Sequence, residues 1–439
     1  MNGLAVQQVK YLYYATKRLI TMGSRLPLVV ILGSTGSGKT KLSLELAKKF
    51  GGEVIGADSM QIYKGLDIIT AKATKDEQLI APHHMIDVLE PHETCTVVEY
   101  RNNVLKLIDE LLNENKLPVV VGGTNYYIEA LLWKILVESE NAKKHDQPGV
   151  LPNNDHEMPS EELHKKLKSL DPSMAKRLHP NNKRKIIRAL EVYYQKGKKL
   201  SELYDEQKSS FGGSKSGGGL RYSNAIVLWV NCDQETLDKR LDDRVDAMLK
   251  NGLLDELLSF HKIFNEHRLK TGEEMDYTKG IFQSIGFKEF HTYLMLKEDE
   301  RQTPEGQKQL EQGVQQLKMV TRRYAKKQKR WVRNRFLGRK DRQVPPVYEL
   351  DSTDVSKWNE NVTVPAFEIV ESYIAGVKCV REPLPVRELG STPNSEDETH
   401  FCEACERVFI GEHQWRGHLR SQKHRRRLNA LGKGKGVAA

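Results

Sequence analysis

Cysteine is scarce in this chain, with five residues in 439. Five thiols are too few to staple a chain of this size, and Cys95, Cys232 and Cys379 stand alone. That excludes a disulfide scaffold and suits a reducing compartment. Long apolar runs are missing too. None approaches the ~18 residues that a membrane span needs, so no membrane insertion is expected. Acids are absent from two stretches, residues 1–25 and 312–340, within a chain whose net charge is already +10. Such a balance directs attention to an acidic partner, nucleic acid above all.

The length allows two or three domains, and the chain is expected to act as a monomer. Residues 26–32 form a short apolar run that predicts a buried strand. "GSTGSGKT" follows, and "KLSLELAKKF" then places Leu42, Leu46 and Phe50 at helical spacing. Strand, glycine loop and helix together turn the pattern G-x-x-x-x-G-K-[ST] into a P-loop. Gly33, Ser34, Thr35, Gly36, Ser37 and Gly38 would present backbone N–H groups to phosphate oxygens. Lys39 adds a positive point charge, and the Thr40 hydroxyl is placed to ligate Mg²⁺.

Further apolar runs at 53–57, 117–121 and 225–230 complete the expected α/β fold, a P-loop parallel sheet flanked by helices. The catalytic core spans 26–133 and 221–378, closed by "VYELDSTD" and "PAFEIVESYIAG". A helical insertion at 134–220 carries predicted helices at 161–170 and 182–196. Then come a Pro/Ser/acid linker at 379–398, a finger at 399–427 and a basic flexible tail at 428–439.

Asp58, in "GADSMQIYKGLDIITAK", follows the second strand and should face the phosphate site, because open α/β sheets bind ligands at the carboxyl ends of their strands. Thr124, in "GGTNYYIEALL", offers a hydroxyl at the same mouth. Arg240 and Arg244 lie four apart on one helix face, as fixed charge for a phosphorylated leaving group. The insertion carries Lys183, Arg184, Lys185 and Arg188. Residues 312–340 hold eleven Lys/Arg, among them Arg322 and Arg323, with Tyr324, Trp331 and Phe336 interleaved. Charges to neutralise phosphates and aromatics to stack on bases fit structured RNA. Finally, Cys402, Cys405, His418 and His424 have the spacing of a structural Zn²⁺ site, with Phe401, Phe409 and Leu419 as a minimal core. A P-loop nucleotide or small-molecule kinase with an RNA-binding tail shares the P-loop and the arginine pair, and stays open on these residues.

The first 25 residues carry Lys10, Lys17, Arg18 and Arg25 alongside Tyr11 and Tyr14. A basic, acid-free, amphipathic start resembles a mitochondrial presequence, and initiation at Met22 would yield a product without it for the cytoplasm and nucleus.

The runs "GSTGSGKTKLSLELA", "DSMQIYKGLDIITAK", "PHHMIDV", "VVGGTNYYIEALL", "RALEVYYQKGK", "LDDRVDAML", "GIFQSIGFKEF" and "TRRYAKKQKRW" occur in order between residues 28 and 376. Together they resemble the tRNA dimethylallyltransferases (tRNA isopentenyltransferases), in the longer eukaryotic form with a zinc finger. The resemblance implies transfer of a dimethylallyl group from dimethylallyl diphosphate to the exocyclic amine of the adenosine 3′ of the anticodon. The P-loop would then hold a diphosphate rather than a nucleoside triphosphate. Asp58 would be the base, while Lys39, Mg²⁺ on Thr40, Arg244 and Arg240 would neutralise the leaving diphosphate. Asp58, Ser59, Met60, Gln61, Thr124, Arg184, Lys185, Arg188, Arg322 and Arg323 would meet the tRNA anticodon stem-loop.

Overall fold

The computed structural model describes residues 26–134, 157–209, 218–271, 280–338, 342–386, 399–405 and 407–434. The expected targeting segment at 1–25 lies outside these residues, as does most of the linker. Six strands form one parallel sheet: β1 (Leu28–Gly33), β2 (Glu53–Gly56), β3 (His83–His84), β4 (Pro118–Val121), β5 (Ala225–Asn231) and β6 (Val347–Asp351). Their order is β3-β2-β4-β1-β5-β6. β1 and β5 read as continuous Val/Ile/Leu runs because helices cover both of their faces.

Helix α1 (Lys39–Phe50) lays Leu42 and Leu46 against Val29, Ile31, Val119 and Ile226. Thr96 caps α2 (Val97–Asn113) in a reciprocal capping box with Glu99. α3 (Asn125–Leu132) follows β4. β1 lies between β4 and β5, so the strand order reverses across it and a crevice opens at the carboxyl ends there.

The chain leaves this core at Trp133 and returns at Leu220, where the two residues form an antiparallel bridge. Among the described residues the chain divides into two compact units. The first lies within Met1–Lys134, Leu220–Lys340 and Val344–Arg387; the second within Ile135–Gly219, Asp341–Gln343 and Glu388–Ala439. In the second unit, α4 (Ser160–Leu170), α5 (Pro172–Arg177), α6 (Lys183–Lys196) and α7 (Leu200–Ser209) bury Leu163, Leu167, Ile186 and Leu190 together. The helical period of α6 leaves Arg184, Lys185 and Arg188 exposed.

In the first unit, α8 (Gln234–Lys250) follows β5, and Asp233 caps it by accepting from Glu235 N and Thr236 N. α9 (Leu253–Thr271) comes next. The 29-residue α10 (Pro304–Val332) starts at the Thr303 cap with Pro304 in its first turn. α11 (Val364–Ala375) packs Ala366, Ile369 and Val370 on the sheet core.

The finger pairs β7 (Thr399–Cys402) antiparallel with β8 (Arg407–Ile410), followed by α12 (Glu412–Leu419) and α13 (Gln422–Gly434). Its small core differs from the expected one. Phe401 is 58% exposed and Leu419 40%. The Phe409 ring instead stacks on His418 at 4.0 Å, and Trp415 stacks on His400 at 5.2 Å. The tail expected from 428 onward starts as a continuation of α13 to Gly434.

Candidate active site

β1 runs straight into the glycine loop. Gly36 and Gly38 have φ of 78° and 96°, the left-handed region that glycine reaches without strain. Space forbids a side chain there as well: a Cβ on Gly36 would lie 2.8 Å from Leu241, and one on Gly38 2.6 Å from the Trp358 ring. Lys39 Nζ donates to Ser34 O at 2.7 Å, within the loop it belongs to. Burial is the main reason its pKa falls from 10.5 to about 8; Asp58 opposes the fall and Arg244 adds to it. Ser37 Oγ is buried with no hydrogen-bond partner among the described residues, and Ser37 does not line the cavity.

Asp58 lies two residues past β2, and its Oδ1 accepts from Met60 N at 2.9 Å. Thr124 does not cap α3 with its side chain. Its Oγ1 accepts from Ser59 N at 2.9 Å and donates to Ser59 Oγ at 3.1 Å, which fixes the segment beside Asp58. Gln61 is spent locally, donating to the Thr70 and Ala71 carbonyls at 3.0 and 3.1 Å.

Most of these residues meet in one cavity of about 570 Å³, and Thr124, Ser34 and Ser37 do not line it. Gly36, Gly38, Lys39, Thr40, Asp58, Ser59, Met60, Gln61 and Arg244 line it, and so do Ile69, Ile86, Val245, Met248 and Leu317. A cationic anion cradle therefore adjoins an apolar flank. Arg244 NH1 reaches Thr35 Oγ1 at 3.4 Å, and burial lowers its pKa while Asp58 raises it.

Arg240 does not join them. Its guanidinium donates to Ser352 O at 2.8 Å and Thr353 O at 2.7 Å, clamping the end of β6. Four residues on one helix differ by about 40° around its axis, enough here to separate a cavity residue from a structural one.

The acid-free stretch 312–340 also differs from its expected role. Lys318, Arg322 and Lys326 of α10 pair with Asp246, Asp242 and Asp238 of α8. The missing acids were supplied by another element. The aromatics turn inward: Tyr324 lines the cavity, Trp331 Nε1 donates to Glu129 at 2.6 Å, and Phe336 is fully buried against Trp133. Arg323 stays exposed. The sequence reading missed Gln328, which also lines the cavity; a lone glutamine among charges gives no periodic signal.

At the finger, the ligand atoms of Cys402, Cys405, His418 and His424 all lie within 4.8 Å of one another. His418 Nε2 is buried without a hydrogen-bond partner among the described residues, as suits a nitrogen meant for a metal.

The family model described as "IPP transferase" matches residues 61–335. The chain belongs to the IPP transferase family. A model described as "Isopentenyl transferase" matches residues 26–84, so the two together span the glycine loop, Asp58, Arg244 and Gln328. A third, "Zinc-finger double-stranded RNA-binding", matches 399–425. Among the relatives of this IPP transferase is the tRNA dimethylallyltransferase of Mus musculus, 47% identical and covering 92% of this chain and 86% of that one. The tRNA dimethylallyltransferase of Homo sapiens is 45% identical, covering 95% and 90%. A crystal structure of a eukaryotic dimethylallyltransferase acting on tRNA matches at a TM-score of 0.75 and 29% identity, covering 93% of this chain and 98% of the other.

Proposed function

We propose that the protein transfers a dimethylallyl group from dimethylallyl diphosphate to the exocyclic amine of the adenosine 3′ of the anticodon in tRNA, releasing diphosphate. One observation carries this reading: a single cavity holds an anion cradle, an apolar flank and a carboxylate. The cradle and flank suit an allylic diphosphate, and the carboxylate suits the proton that the amine must lose. The kinase reading accounts for the cradle but leaves the apolar flank and the exposed basic residues without a task.

The amine's lone pair is delocalised into the adenine ring, so nucleophilic attack needs a base, and Asp58 is placed for it. As the new C–N bond forms, the allylic C–O bond breaks and its electron pair goes to the diphosphate. Lys39, the loop amides and Arg244 neutralise that charge; Arg240 serves only to hold the helix. Thr40 is exposed and lines the cavity, giving a hard oxygen donor that fits Mg²⁺. When bound, the cation would supply further positive charge for the leaving group. The target base must leave the anticodon loop stack to enter the cavity. Ser59 and Met60 would meet it there, and Thr124, predicted to do so, would act by holding Ser59. Arg184, Lys185, Arg188 and Arg323 would bind phosphates, a task that Arg322 shares with its ion pair. In the finger, the closed Cys/Cys/His/His set fits Zn²⁺ in a structural role.

Incubation with labelled dimethylallyl diphosphate and unmodified tRNA, followed by nucleoside analysis, tests the activity. Labelled N6-alkyladenosine is expected; phosphate transfer from ATP in its place would favour the kinase. The protein is further proposed to act as a monomer, which sedimentation of the enzyme with tRNA would check. Residues 1–21 are proposed to direct a fluorescent reporter to mitochondria, with a Met22 start leaving it in cytosol and nucleus; a diffuse signal from both would count against this.

A further inference from the structure

Two loops face each other across the cavity floor, and one side chain ties them together. Gln328 of α10 is 5% exposed. Its Oε1 accepts from Thr35 N at 2.9 Å, on the glycine loop, and its Nε2 donates to Gly123 O at 3.1 Å, on the loop before α3. The partners dictate the orientation of the amide, since a backbone N–H needs the oxygen and a carbonyl needs the NH₂. The neighbouring turn of α10 reinforces both ends. Ala325 O accepts from Ser34 Oγ at 3.0 Å, and Tyr324 OH donates to Gly123 O at 3.4 Å. The fit is close: a Cβ on Gly123 would lie 2.1 Å from Gln328 Nε2.

The geometry points to Gln328 as a positioning residue for the prenyl transfer proposed above, on which this inference rests. The glycine loop holds the leaving diphosphate. The Gly123 loop continues into Thr124, whose hydroxyl fixes Ser59 next to Asp58. Gln328 therefore sets the separation between the leaving group and the base. It touches no reacting atom. Transfer needs the amine, the allylic carbon and the leaving oxygen aligned, and a misplacement of about 1 Å costs roughly 10²-fold in rate.

Gln328→Met in the full chain keeps the length of the side chain and removes both bonds. Its single-turnover rate with both substrates saturating should fall roughly 10- to 100-fold, while the KM for each substrate stays within about threefold. Gly123→Ala, which pushes Gln328 aside from the opposite direction, should show the same split and gives a second reading where the first variant folds poorly. Thermal unfolding of both variants accompanies the kinetics. A wild-type single-turnover rate in a folded variant overturns the proposal, as does a loss that merely tracks the folded fraction. The activity itself is judged on the wild-type enzyme alone, the bridge on the ratio of variant to wild type.

Discussion

Lys39 is under opposing influences that make its proton available for a test. Burial brings its pKa from 10.5 to about 8, so the empty folded protein loses this charge as pH rises through 8 while the unfolded chain keeps it to about 10.5. Between those values the unfolded state binds more protons, so this group's contribution to folding stability rises with pH there. Anion affinity runs the other way. The Kd for inorganic diphosphate should rise above pH 8 by up to ~10-fold per pH unit. Lys39→Arg should flatten the profile, because a guanidinium stays charged. A flat wild-type profile through pH 8 to 10 would contradict the assignment of Lys39 to the anion. Asp58 makes a separate prediction. Asp58→Asn keeps the side chain's size and removes its capacity to take a proton, so kcat should fall by ~10²–10⁴ with tRNA affinity little changed. Near-normal turnover would remove Asp58 from the role of base. Both residues could be singled out from sequence because a short motif fixes their place on strand, loop and helix. Gln328 could not: what gives it meaning is where two distant loops pass, and no local pattern encodes that.

At the scale of one element, α10 shows how a charge run misleads. Read along the chain, the stretch 312–340 that starts inside it has eleven cations and no acid. Read in three dimensions, one face is an ion-pair ladder to α8, another holds Ser34 and Thr35, Lys329 donates to Cys232 O, and Arg323, Lys327 and Arg330 face solvent. The faces make different predictions. Arg323→Ala should raise the KM for tRNA at every sequence tested and reduce the slope of log KM against log salt by about one ion. Arg322→Ala removes a partly exposed pair from a network, worth ~1 kcal/mol or less, and should lower Tm more than it weakens tRNA. Equal salt slopes in the two variants would show that the ladder does not distinguish them. The aromatic residues teach the same lesson. Tyr324, Trp331 and Phe336 looked like stacking platforms because aromatics on a basic helix often are, yet Trp331 and Phe336 face protein and only Tyr324 lines the cavity. An amphipathic helix in a folded core buries its aromatics first.

For the whole molecule, the four strands expected from apolar runs and the sheet they build were readable, because strands buried on both faces carry uninterrupted Val/Ile/Leu. β3 was not readable, since two residues leave no pattern. The finger was visible through its ligand spacing, whereas its packing was not, because a metal centre rather than an apolar core decides which rings turn inward. That difference shapes the last prediction. Arg416, Arg420, Lys423, Arg425, Arg426 and Arg427 are all exposed on α12, α13 and the turn between them. If the finger binds tRNA phosphates, removing residues 399–439 should raise the KM for tRNA and leave the KM for dimethylallyl diphosphate nearly unchanged. The deficit should be largest at low salt and shrink as salt rises, because released counterions supply the finger's share of the affinity. Substituting Cys402 and Cys405 with Ser in the full chain should reproduce the deficit, since a segment this short depends on its metal to fold. Measuring both KM values and kcat at two salt concentrations separates the outcomes. A large fall in kcat at saturating tRNA would mean that the finger shapes the active site, and an unchanged KM for tRNA at low salt would mean that it binds something else.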